Sequence, residues 1–164
     1  MKKNIICLIL VLCCFFILSG CNFKIRNYTI NNYNISKDKP FNYYYTKELS
    51  NNIALEPKYK CTIIETNFYS EKSLSLEDNE TIHNFIAELK KSNFINKPSD
   101  LPSKPAYRMY FTFSKVKYVI DVYNENYISV FPWDGCYTAD YIDMNGVHTS
   151  NNLFNFSKYI IPKH

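Results

Sequence analysis

Two stretches decide the fold: SLEDNETIHNFIAELKK at residues 75–91 and YRMYFTFSKVKYVIDVYNENYISVFPWDG at residues 107–135. In the first, Ile82, Phe85, Ile86 and Leu89 recur at i, i+3, i+4 and i+7, the stripe of an amphipathic helix. Ser75 followed by Asp78 has the spacing of a capping box, and Glu77, Asp78 and Glu80 suit the positive end of the helix dipole. Lys90 and Lys91 suit the negative end. Asn93 is the expected left-handed cap, and Pro98 bars continuation. In the second stretch the period becomes two. Tyr107, Met109, Phe111 and Phe113 alternate with Arg108, Tyr110, Thr112 and Ser114; Tyr118, Ile120 and Val122 alternate with Val119, Asp121 and Tyr123. Ile128 and Val130 share one side of a third strand, which ends at Pro132-Trp133-Asp134-Gly135. Connections this short make the strands antiparallel neighbours. The inner face is assigned to Met109, Phe111, Phe113, Ile120, Val122, Ile128 and Val130, because the opposite choice would bury Arg108 and Asp121.

Outward from this centre the pattern is sparser. Lys58 to Ser70 predicts one long strand whose phase shifts near Ile64, as a bulge would cause. Phe41, Tyr45, Leu49 and Ile53 predict a short N-terminal helix ending before Pro57. Tyr137 to Met144 predicts a fourth hairpin strand, and Asn145-Gly146 a tight turn. Leu153, Phe156 and Ile160 predict a short closing helix. The expected fold is α+β: one main helix on a four- to five-stranded antiparallel sheet, with short N- and C-terminal helices.

The start of the chain has a different character. Met1-Lys2-Lys3-Asn4 is a short positive segment, and Ile5 to Leu18 is an apolar run of 14 residues. That length suits the core of a signal peptide better than a membrane span. Leu18-Ser19-Gly20-Cys21 follows. This resembles the lipobox of bacterial lipoproteins. The resemblance implies cleavage before Cys21 and a diacylglyceryl group on its sulfur, with further acylation of the palmitate kind. Two or more acyl chains hold a protein stably at a bilayer. The expected organisation is a signal peptide at 1–20, a flexible, Asn-rich tether at 21–40 and a single α+β domain at 41–164. The expected location is the outer, extracytoplasmic side of the cell membrane.

Removal of 20 residues leaves 164 − 20 = 144, and a charge balance of 17 − 15 = +2 once Lys2 and Lys3 are gone. So small a surplus does not predict a nucleic-acid partner. Only Cys61 and Cys136 then remain beside Cys21. In an exported protein they form either a disulfide or two thiols packed as small hydrophobes.

Sites of chemistry are few. No nucleophile elbow, phosphate loop, dinucleotide fingerprint, zinc spacing or calcium loop occurs, so no cofactor and no metal is expected. Asp134, Asp140 and Asp143 form the best acidic cluster. Their spacing reads first as turn chemistry and an outward-facing strand, and second as the carboxylates of a hydrolase. The chain holds 15 Tyr and 12 Phe. On the assigned inner face, Tyr110, Val119, Tyr123, Tyr127 and Phe131 fall on the outer one. Either another element covers them or they bind a partner. Tyr123, Tyr127, Phe131 and Trp133 are the candidate partner surface. The aromatic hairpin ending in Pro132-Trp133-Asp134-Gly135 resembles small exported domains of unknown function in Gram-positive lipoproteins. Three classes follow: a membrane-anchored binding or interaction module, an inhibitor or immunity-type protein blocking one partner, and a hydrolase.

Overall fold

The structure, a computed structural model, describes residues 39–162. The expected signal peptide, the expected lipidation site Cys21 and most of the expected tether lie outside these residues. In chain order the elements are α1 (Tyr44–Leu55), β1 (Lys60–Glu65), β2 (Glu71–Ser73), α2 (Leu76–Glu88), a 3-10 turn at Lys91–Asn93, β3 (Phe94–Ile95), β4 (Tyr107–Thr112), β5 (Lys117–Val122), β6 (Tyr127–Pro132), β7 (Asp140–Asp143) and α3 (Leu153–Ile160). The strands form a single antiparallel sheet in the order β2-β1-β4-β5-β6-β7-β3. The class is α+β as expected, but the sheet has seven strands rather than four to five.

The two extra strands are short, and short strands carry too little alternation to read. The expected long strand at 58–70 is a hairpin. Backbone N–H groups of Asn67 and Phe68 donate to the Glu65 carboxylate at 3.0 and 2.7 Å and turn the chain. The register of β1 on β4 runs unbroken from Lys60 to Glu65, so no bulge interrupts it. At the opposite edge β3 pairs Phe94 with Ile142 and Ile95 with Tyr141.

The α2 capping box forms: Asp78 N donates to Ser75 Oγ at 3.1 Å, and Ser75 N donates back to Asp78 Oδ2 at 2.8 Å. The helix ends at Glu88, so Lys90 and Lys91 fall beyond it. Asn93 is not a left-handed cap; among the described residues only Tyr69 and Gly146 have positive φ. Asn93 instead donates its side-chain amide to Asp143 O at 2.8 Å, tying the 3-10 turn to β7. Nor is α2 the one main helix, since α1 has 12 residues to its 13.

All three helices lie on one side of the sheet. Leu49 and Ile53 of α1, Ile82 and Phe85 of α2, and Leu153, Phe156 and Ile160 of α3 share one cluster with Met109, Phe111, Ile120, Val122, Ile128 and Val130. The strand side chains in it are those assigned to the inner face. Lys39 and Pro40, counted with the tether in sequence, already belong to the domain, and Lys39 Nζ pairs with Asp140 Oδ1 at 2.8 Å. At the β6–β7 loop the Tyr137 N–H donates to Tyr45 Oη at 2.8 Å. A Cβ on Gly135 would stand 2.8 Å from that oxygen, so only glycine lets the loop close on α1.

Candidate functional site

The opposite face of the sheet carries no helix among the described residues. Its side chains run in rows set by the register. One row is Glu71, Ile64, Arg108, Asp121, Ser129 and Tyr141; the next is Ser73, Thr62, Tyr110, Val119 and Phe131. Tyr127 stands opposite Asp143 at the end of the sheet, and Tyr123 continues the β5 phase. Val119 is 1% exposed, yet among the buried hydrophobic residues described it alone lies outside the core cluster.

At the centre sits an ion pair. Arg108 and Asp121 are directly opposed on β4 and β5. Arg108 Nε donates to Asp121 Oδ1 at 2.5 Å and Nη2 to Oδ2 at 2.8 Å, a bidentate fork. Asp121 is 5% exposed. The sequence reading kept these two off the core to spare them burial. They are off the core, but the carboxylate is buried all the same. Hydrogen bonding to Asp121 strengthens the guanidinium's hold on its proton. Burial raises the Tyr123 hydroxyl above its ordinary pKa, while a hydrogen bond with Ser129 opposes the rise. Burial raises Tyr141 likewise.

Rings form the rim. Tyr110 and Trp133 lie 6.0 Å apart between centroids, tilted by 49°. Trp133 is 67% exposed, and Tyr123, Tyr127 and Phe131 are half-buried. The four predicted surface residues thus lie on or beside one face, and the predicted closing helix does not cover them. The residues missed by sequence are Arg108, Asp121, Ser129 and Tyr141. Opposed charges 13 apart in a hairpin were the available signal for the first two.

The acidic cluster does not assemble. Asp140 and Asp143 differ by three residues on a strand, so they face opposite sides. Asp140 points inward, fully buried, and takes hydrogen bonds from Lys39 Nζ, from Thr46 N at 2.7 Å and from Thr46 Oγ1 at 2.9 Å. Burial raises its pKa, against the opposing pull of Lys39 and Thr46. Asp134 stands exposed in the loop. No group of three His, Cys, Asp or Glu residues among those described could hold a metal ion. The convergent carboxylates a hydrolase would need are therefore missing from this cluster.

The candidate disulfide is not formed either. Cys61 and Cys136 are free thiols, one buried in β1 and one exposed after β6. Three strand spacings of about 4.8 Å separate β1 from β6, well past the ~7 Å limit between Cα atoms of a bridge. Burial pushes the Cys61 thiol far up. A thiol-alkylating reagent is expected to label Cys136 in the folded protein and Cys61 only after denaturation, as read by peptide mass spectrometry. Protection of both in the native state, released by reductant, would contradict the structure.

The family model described as Domain of unknown function (DUF4883) matches residues 39–157, from the Lys39 latch into α3. The chain belongs to this family. Among solved structures it is similar to the one described as "Putative Lipoprotein from Clostridium perfringens", at 35% identity and a TM-score of 0.69. That likeness covers 76% of this chain and 99% of the other. No curated protein matches. Among the described residues no helix is long and apolar enough to cross a membrane. The family model spans both the helix layer and the open face, from Lys39 through Trp133 to Ser157.

Proposed function

We propose that the protein is a lipid-anchored module on the extracytoplasmic side of the cell membrane, and that it binds a protein partner through the open sheet face. The observation that carries this reading is that all three described helices lie on one side of the sheet, so that no described element covers the aromatic face. Tyr, Trp and Arg are the residue types that anchor protein interfaces. The central charges cancel in the Arg108–Asp121 pair, so the face favours neither a polyanion nor an anionic bilayer. The anchor reading is supported by the lipoprotein description of the similar structure and by Leu18-Ser19-Gly20-Cys21.

Two experiments test the two halves separately. Cys21→Ala is expected to abolish lipid labelling and release the protein from the detergent phase; normal processing and retention would refute the anchor. The Tyr127→Ala/Trp133→Ala variant is expected to lose its partner in a cross-linked pull-down from solubilised membranes while keeping its melting temperature. Hot-spot truncations cost about 2 kcal/mol or more each, roughly thirtyfold in affinity. A partner retained at full strength would refute the open face as the binding surface. Recovery of one enzyme in near-equal amount, inactive until released, would specify the module as an inhibitor.

A further inference from the structure

The β2 strand is a sheet edge, and its outward peptide groups can be identified. Glu65 N donates to Ser70 O at 2.8 Å and Leu74 N to Cys61 O at 2.9 Å. Lys72 stands opposite Ile63 between them. Alternation in an antiparallel ladder therefore turns Ser70, Lys72 and Leu74 toward β1, and turns the N–H and C=O of Glu71 and Ser73 away from it. All three residues of β2 are exposed.

Edges are commonly guarded by being short and charged. β2 is both, but its surroundings are not those of a guard. Six large hydrophobic side chains stand well exposed among the described residues, and three of them flank this strand: Phe68 at 78%, Tyr69 at 74% and Leu76 at 75%. Tyr69 is also held at φ +58°, the left-handed region that a bulky residue rarely adopts. Beside it opens a cleft of about 180 Å³ whose lining includes Ile64, Tyr69, Lys104, Arg108 and Tyr110; Arg108 is paired with Asp121, so Lys104 is the uncompensated cation of the lining. Lys104 Nζ sits 5.7 Å from the Tyr69 ring centroid and donates to Thr66 O at 2.5 Å. An ammonium has three donors, so Lys104 keeps one after its bonds to Thr66 O and Asn67 Oδ1.

Unpaired strand backbone recognises another peptide backbone, and a cationic cleft recognises a carboxylate. We infer that β2 accepts an extended segment of a protein partner as an added strand, with an acidic side chain seated in the cleft against Lys104, beside Tyr69. This rests on the preceding proposal in taking the partner to be a protein, but its contacts centre on the β2 edge, Tyr69 and Lys104 rather than on Tyr127 and Trp133.

The probe is a phage-displayed library of random linear peptides, selected on the full chain in detergent micelles. The expected pool alternates apolar residues around one Asp or Glu. Ser73→Pro removes an outward N–H without touching the bonds to β1, and Lys104→Gln removes a cation. Each is expected to weaken the selected peptides by about tenfold or more, with the melting temperature kept. Tyr69→Gly relieves the left-handed backbone, so it is expected to raise the melting temperature while weakening binding. The Tyr127→Ala/Trp133→Ala variant is expected to bind these peptides normally, which separates this site from the open face. The inference is overturned if no peptide is selected, if the pool lacks an acidic position, or if affinity survives Ser73→Pro.

Discussion

Phe85→Ala is expected to lower the unfolding free energy by about 3–5 kcal/mol, the range for deleting a fully buried Phe. Phe85 is 0% exposed on α2, in the cluster that joins the three helices to the inner face of the sheet. Its position follows from Ile82 and Phe85 sharing one helical stripe, and from the Ser75–Asp78 box that sets where the helix starts. The ring is fixed between the helix and the strands, so the space left by truncation cannot collapse easily. Urea denaturation monitored by circular dichroism measures the loss. A cost below about 1 kcal/mol, the ordinary effect of an exposed substitution, would mean that α2 does not pack as described.

Asp140→Ala is expected to cost a comparable 3–5 kcal/mol, through a different mechanism. The carboxylate is 0% exposed and receives Lys39 Nζ at 2.8 Å together with the Thr46 N–H and hydroxyl. Removing it leaves the buried Thr46 N–H and hydroxyl without their acceptor and takes from Lys39 Nζ one of its two partners, the other being Ala139 O. Lys39→Met is expected to cost less, because that side chain is 12% exposed and the raised Asp140 carboxyl can take up a proton instead. Asp140→Asn, which keeps an acceptor for Thr46, is expected to fall between. Equal costs for Asp140→Ala and Lys39→Met would show that the ammonium, rather than the whole set of donors, dominates. A cost for Asp140→Ala below about 1 kcal/mol would remove Asp140 as the point that fastens the start of the domain to β7 and α1.

The sequence was most legible where the periodicity was long. The α2 stripe, the β4–β5–β6 alternation and the α3 stripe each run through several turns or pairs. Their inner-face residues, Met109, Phe111, Ile120, Val122, Ile128 and Val130, are all buried. Reading failed where an element was short or a side chain had changed allegiance. β2 and β3 have three and two residues, too few for an alternation of period two to stand out. The Glu65 carboxylate turns the chain back on itself within what reads as continuous strand. Asp140 reads as a surface acid and is instead fully buried, because a charge 101 residues away reaches it.

Sequence by itself determined the class of the domain, its antiparallel hairpins and the composition of its inner face, because hydrophobic period and turn chemistry are local properties. Tertiary structure decided everything that depends on long-range pairing. It separated Cys61 from Cys136 and scattered Asp134, Asp140 and Asp143. It also put all three helices on one side of the sheet, so that no described element covers an aromatic face with a paired charge at its centre. Alternation along a strand marks two faces; which of them a helix will cover is set by connections and packing across the whole chain.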